Sequence, residues 1–146
     1  MIKRLSLPAL EYLTTSIAKV LNTTSEVIPN IYNRFPGKLE HCLAAPFMSF
    51  GGKNLYPTIE DKCSIMFYLI IKNHPLENGN KRLACLAILS FLMINKKWLK
   101  VNHYDLKALT AVVVNSTPHL KDQILYLLKM VIKSKMHNLP SIKSNL

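Results

Sequence analysis

Residues 58–95 read TIEDKCSIMFYLIIKNHPLENGNKRLACLAILSFLMIN, two apolar runs joined by a short polar segment. Thr58 suits the start of a helix, and Asp61 stands three residues on, where a capping box places its acid. The spacing predicts a helix from there to about Lys72. In the second run, residues 83–94 are apolar all round apart from Ser90. A helix with no polar face belongs inside, so 81–95 is expected to be the buried central helix. Pro75 and Gly79 mark 73–80 as the loop between the two.

Outward from this pair the chain reads as further helices. Residues 7–21 carry Leu10, Leu13, Ile17, Val20 and Leu21 at helical spacing, with Pro8 in the first turn. Residues 29–36 are a loop, and 37–45 a short helix that Pro46 ends. In 47–57, aromatic residues flank Gly51-Gly52, which predicts a small hairpin. Residues 96–101 form a turn or short extended piece. Two amphipathic helices are expected at 105–114 and 120–132, separated by the break at Pro118. The tail 133–146 is polar and basic and is expected to fray. The reading is all-α: a single helical domain over 1–132 with one β-hairpin excursion.

Composition narrows the function. With 146 residues and 49% hydrophobic side chains, the chain can fill one core and is no disordered polymer. Its longest apolar runs fall short of the roughly 20 residues that cross a bilayer, and no leader-like segment follows Met1, so no membrane partner and a cytoplasmic location are expected. Cys42, Cys63 and Cys85 lack paired spacing, which argues for small buried hydrophobes over a disulfide or zinc framework. The formal charge is +11, but 16 of the 19 basic residues are lysines spread along the chain. No basic motif interleaved with aromatics appears, so specific nucleic-acid reading is not expected.

Polar chemistry concentrates in the loop, Asn73-His74-Pro75-Leu76-Glu77-Asn78-Gly79-Asn80-Lys81-Arg82. A helix N-terminus offers free amides and about half a positive charge to an anion. Gly79 allows close approach of the backbone. Lys81 and Arg82 add cations where the helix dipole disfavours them, which makes sense if an anion binds. His74 is a proton acceptor suited to neutral pH. A base beside a phosphate cradle is what transfer of a phosphate-containing group to a hydroxyl requires.

Residues 74–82 resemble the Fic/Doc family signature H-x-F-x-[DE]-[GA]-N-[GK]-R. The likeness extends to Leu43-Ala44-Ala45-Pro46, Phe50-Gly51-Gly52, Leu55-Tyr56-Pro57-Thr58 and Ile71-Lys72-Asn73. It covers about 36–132 and is similar to the death-on-curing (Doc) branch. This resemblance implies a small helical bundle in which His74 is the general base. Gly79 and Asn80 would form the anion-holding turn, with Lys81 and Arg82 also binding phosphates. Phe50, Gly51, Gly52, Lys53 and Asn54 would be the flap that pairs with the backbone of a protein target.

Lys81 stands where AMP-transferring Fic enzymes usually have Gly, and Cys85 where they have a second Arg. Both match Doc toxins. The resemblance therefore implies transfer of the γ-phosphate of ATP, with Mg2+, to a protein hydroxyl, by analogy on elongation factor Tu, and an antitoxin partner. Leu76 replaces the family Phe, and Asn78 replaces the Asp or Glu that ligates magnesium, leaving a neutral amide as the metal ligand. AMP transfer, or a binding module whose chemistry Asn78 has ended, are the alternatives.

Overall fold

The computed structural model describes residues 1–20, 31 and 33–140. Among them the fold is all-α, as expected. Its helices are α1 Leu7–Val20, α2 Lys38–Ala44, α3 Ile59–Asn73, α4 Asn80–Ile94, α5 His103–Val114 and α6 Lys121–Lys135. Strands β1 Ser49–Phe50 and β2 Lys53–Asn54 form the expected hairpin. β3 Lys97–Leu99 falls in the short extended piece expected at 96–101, whereas its antiparallel pairing with β4 Met136–Asn138 lies outside the sequence expectation.

The core forms around α4. Leu83, Ala84 and every residue from 86 to 92 are buried, and α3 is buried over 62–68 and at Ile70 and Ile71. α3 lies against α4 and α6, and α1 against α4. Leu10 and Ile17 of α1 and Leu128 and Ile132 of α6 close the core, along with Leu106, Leu109 and Val113 of α5. Each large side chain fully removed from water stabilises by about 1.5–3 kcal/mol. Cys42 and Cys63 are buried free thiols, whereas Cys85 is only half-buried.

Caps set the helix starts. The Thr58 hydroxyl accepts from the Asp61 N–H (3.1 Å), and the Asp61 carboxylate accepts from the Thr58 N–H (3.2 Å) and hydroxyl (2.8 Å). Asn102 and Asp105 repeat the box at 2.9 and 3.0 Å. α5 therefore begins at His103, two residues before the expected start, because Asp105 belongs inside the first turn. α2 stops at Ala44, and 45–47 tighten into a 3-10 turn that holds Pro46. Leu21 and residues 29, 30 and 32 of the expected 29–36 loop lie outside the described residues.

The tail corrects the expectation of fraying from 133 onward. α6 continues to Lys135, and Met136, His137 and Asn138 pair with Leu99, Trp98 and Lys97. The Lys100 N–H donates to the Lys135 carbonyl (2.8 Å), and the Leu139 N–H to the Lys96 carbonyl (2.9 Å). Backbone groups do the holding, so a polar composition is no obstacle to order. Residues 141–146 lie outside the described residues.

Burial alone would raise the Asp61 carboxyl, but hydrogen bonds from Lys129 and Thr58 outweigh it and hold it below its ordinary value. Lys129 Nζ lies 3.0 Å from the carboxylate. A depressed acid stabilises the fold above its unfolded pKa of about 3.9, and that gain is lost as pH falls through the lower folded value. Asp61→Asn should flatten the acid limb of a stability–pH curve below about pH 4. Thr58→Ala should cost about 1 kcal/mol in urea unfolding at pH 7.

Candidate functional site

α3 ends on His74, whose backbone is left-handed at φ 47°, ψ 62°. A non-glycine residue held there costs about 1 kcal/mol or more, so the surrounding structure must enforce the turn. Pro75 and Leu76 do so from below, both buried, with Leu76 only 1% exposed in the core. An extended segment before α2 does so from the side. The Phe35 N–H donates to the Pro75 carbonyl (2.9 Å), the Glu77 N–H to the Asn33 carbonyl (3.3 Å), and Arg34 and Leu76 form an antiparallel bridge. Arg34 is itself tied to Glu40 by a 2.8 Å ion pair.

Asn80 braces the loop from within. Its Oδ1 accepts from the Leu76 N–H (2.8 Å), and its Nδ2 donates to the Leu76 carbonyl (3.0 Å). The same Nδ2 lies 3.4 Å from His74 Nδ1. Both Leu76 bonds fix which amide atom is nitrogen, so Nδ2 can only donate to the ring. A neutral His74 that accepts there carries its ring proton on Nε2.

Gly79, at φ 86°, turns the chain into α4, a conformation that glycine adopts without a Cβ penalty. With the Asn80 carboxamide directed back to Leu76, no described side chain caps α4. The helix ladder opens with the Leu83 N–H donating to the Gly79 carbonyl at 2.9 Å. This end of α4 presents first-turn amides and the positive end of the helix dipole, an arrangement that could receive an anion.

Beside it lies a cavity of about 310 Å³, where Lys81, Arg82 and Cys85 of α4 face His103, Leu106 and Lys107 of α5. Burial pushes the Cys85 thiol up to about 12, so at neutral pH it adds no negative charge to a basic cleft. The share of α5 in this cavity has no local signal, since nothing in the sequence shows that 103–107 face 81–85.

His74, Asn78, Gly79, Asn80, Lys81 and Arg82 thus gather around one helix end. His74, Asn78 and Lys81 are exposed, and Gly79, Asn80 and Arg82 half-buried. The hairpin of Phe50, Gly51, Gly52, Lys53 and Asn54 is rooted elsewhere, near the first turn of α3, where Phe47 packs edge-on against Phe91 toward the far end of α4. For a metal the donors are sparse. Among the described residues no group of three His, Cys, Asp or Glu side chains converges, and the loop offers the Glu77 carboxylate and the neutral Asn78 amide. This set suits a phosphate better than a magnesium ion held by protein alone.

Residues 10–92, more than half of the chain, match the model of the Fic/DOC family. Over 59 residues the chain is 37% identical to the Toxin Doc of Mycolicibacterium smegmatis, a stretch covering 40% of this chain and 45% of that protein. The chain thus spans less than half the length of this curated relative. No solved structure matches it with significance.

The double bond of Asn80 to Leu76 carries a direct expectation. Asn80→Ala leaves a part-buried backbone pair unsatisfied and should cost about 1–3 kcal/mol in denaturant unfolding. Asn80→Asp keeps the acceptor for the Leu76 N–H and should cost less, a ranking that a single urea series checks.

Proposed function

This chain belongs to the Fic/Doc family, and on that premise we propose that it is a Doc-like toxin that moves the γ-phosphate of ATP to a Ser or Thr hydroxyl of a protein. The observation that carries the reading is the α4 N-terminus, without a side-chain cap and flanked by Lys81 and Arg82, lying in the same loop turn as His74. In this reading the phosphates lie against the first-turn amides of α4, and the rest of the nucleotide occupies the cavity between α4 and α5.

The target hydroxyl displaces the long Asn80 contact and gives its proton to His74 Nδ1. Its oxygen attacks the γ-phosphorus as the bond to the bridging oxygen breaks, and the electron pair of that bond leaves with ADP. The helix amides and the two cations hold the charge on the transferred group. Asn80 acts through its backbone and as a brace on the loop. When bound with ATP, magnesium would share the phosphate charge. Asn78 and Glu77 are the nearest donors, and no step is assigned to it.

Lys81 and Cys85 support phosphate over AMP transfer, since both depart from the AMP-transferring pattern. By analogy the target is elongation factor Tu, whose modification would arrest translation in the cytoplasm, with an antitoxin as the inhibitory partner.

The test uses ATP labelled at the γ- or the α-phosphate, with bacterial lysate and magnesium. Label from the γ position alone is expected. Label from the α position would mean AMP transfer, and none from either would leave a binding module. His74→Ala should lower transfer by at least about a hundredfold, the scale of a lost general base, while its thermal unfolding stays within a few degrees. Asn78→Asp should lower the magnesium concentration for half-maximal rate, because it restores a charged ligand.

A further inference from the structure

Lys62 is 4% exposed, an unusual place for an ammonium group. Its burial is matched by two hydrogen bonds and an aromatic face. Nζ donates to the Pro46 carbonyl at 2.9 Å and to the Tyr56 carbonyl at 2.6 Å, and lies 4.6 Å from the centre of the Phe47 ring. Pro46 and Tyr56 are the two ends of the segment that carries the β1–β2 hairpin. Every residue from 48 to 55 is exposed, Phe50 to 81%. The hairpin is closed by its own two-residue ladder and by the Leu55 N–H donating to the Met48 carbonyl at 3.0 Å. A ribbon this short is marginal in water and has no core contact to orient it.

We propose that Lys62 is the positioning residue of the hairpin: one buried ammonium on α3 ties together both of its roots and sets its direction relative to the catalytic loop. The consequence for catalysis rests on the reading of the hairpin as the element that holds the target chain. Lys62 touches neither nucleotide nor hydroxyl in that reading. It acts through the hairpin alone, by exchanging the costly burial of a charge for two charge-assisted bonds across the chain.

Limited trypsin cleavage after Lys53, in β2, tests this without any assumption about activity. In the full chain, Lys62→Met should raise the cleavage rate at Lys53 at least tenfold while thermal unfolding stays cooperative. Wild-type cleavage in folded Lys62→Met overturns the proposal. If that variant does not fold, Lys62→Gln, shorter and neutral, takes its place, with the same two outcomes. Arg4 also lies over Phe47, 4.7 Å from the ring centre. Arg4→Met should leave Lys53 cleavage within twofold, and an equal loss of protection there would move the effect to the ring and overturn the role of the carbonyl clamp.

In the transfer assay, Lys62→Met should raise KM for the protein target at least fivefold with KM for ATP unchanged. A parallel rise in both would overturn the positioning role. A wild-type chain that labels no protein would defeat the functional reading and leave the trypsin result to decide the clamp.

Discussion

Between Leu83 and Leu92, α4 shows water little more than part of Cys85, and a helix without a polar face has to be enclosed on every side. α3 covers one flank and α1 another, with β3 folding back on the end of α4. The N-terminal residues are held to that end as well: the Asn95 side chain accepts from the Lys3 N–H at 2.7 Å and donates to the Lys3 carbonyl at 3.1 Å. The fold is what results when short helices are arranged to hide one apolar rod.

Enclosure of the rod also creates the site. Because α3 and α4 are joined by few residues, the C-terminus of one meets the N-terminus of the other, and the polar loop has to pass over the core edge. Leu76 is the anchor: its side chain enters the core while Asn80 occupies both of its backbone groups. The N-cap position of α4 is Gly79, which has no side chain to cap the helix. The first-turn amides of α4 are left without a side-chain cap, and Lys81 and Arg82 stand at the end of the helix where its dipole disfavours cations.

The parts of this legible in sequence are those with local signals. The capping box at Thr58, the all-apolar run of α4 and the Gly-Gly hairpin each depend on residues within a few positions, and the structure has them. The β3–β4 pair is different, since Lys97 meets Asn138 through backbone bonds that no side-chain pattern announces. The antiparallel bridge of Arg34 to Leu76 is equally silent. At the site, the α4 half was readable because its residues are contiguous, whereas His103 and Lys107 reach the cavity only through packing of α5. Lys62 follows Glu60 and Asp61 in the polar first turns of α3 and carries no signal of burial in the sequence, so its meaning emerges only when both carbonyls are seen within reach.

Geometry explains why a hairpin root deserves a charged clamp. From Met48 to its tip the hairpin extends about 13 Å, at roughly 3.3 Å per residue. A slack of 10° at the root displaces the tip by about 2 Å, and in group transfer a misplacement near 1 Å already costs about a hundredfold. His74 stands twelve residues along α3 from Lys62, about 18 Å of helix. An apolar side chain at 62 would fill the space but leave the Pro46 and Tyr56 carbonyls without their donor. It would not fix an angle, because dispersion contacts are tolerant of direction and hydrogen bonds to two carbonyls are not. The buried charge makes sense as a device for direction, on the same helix that ends in the turn at His74.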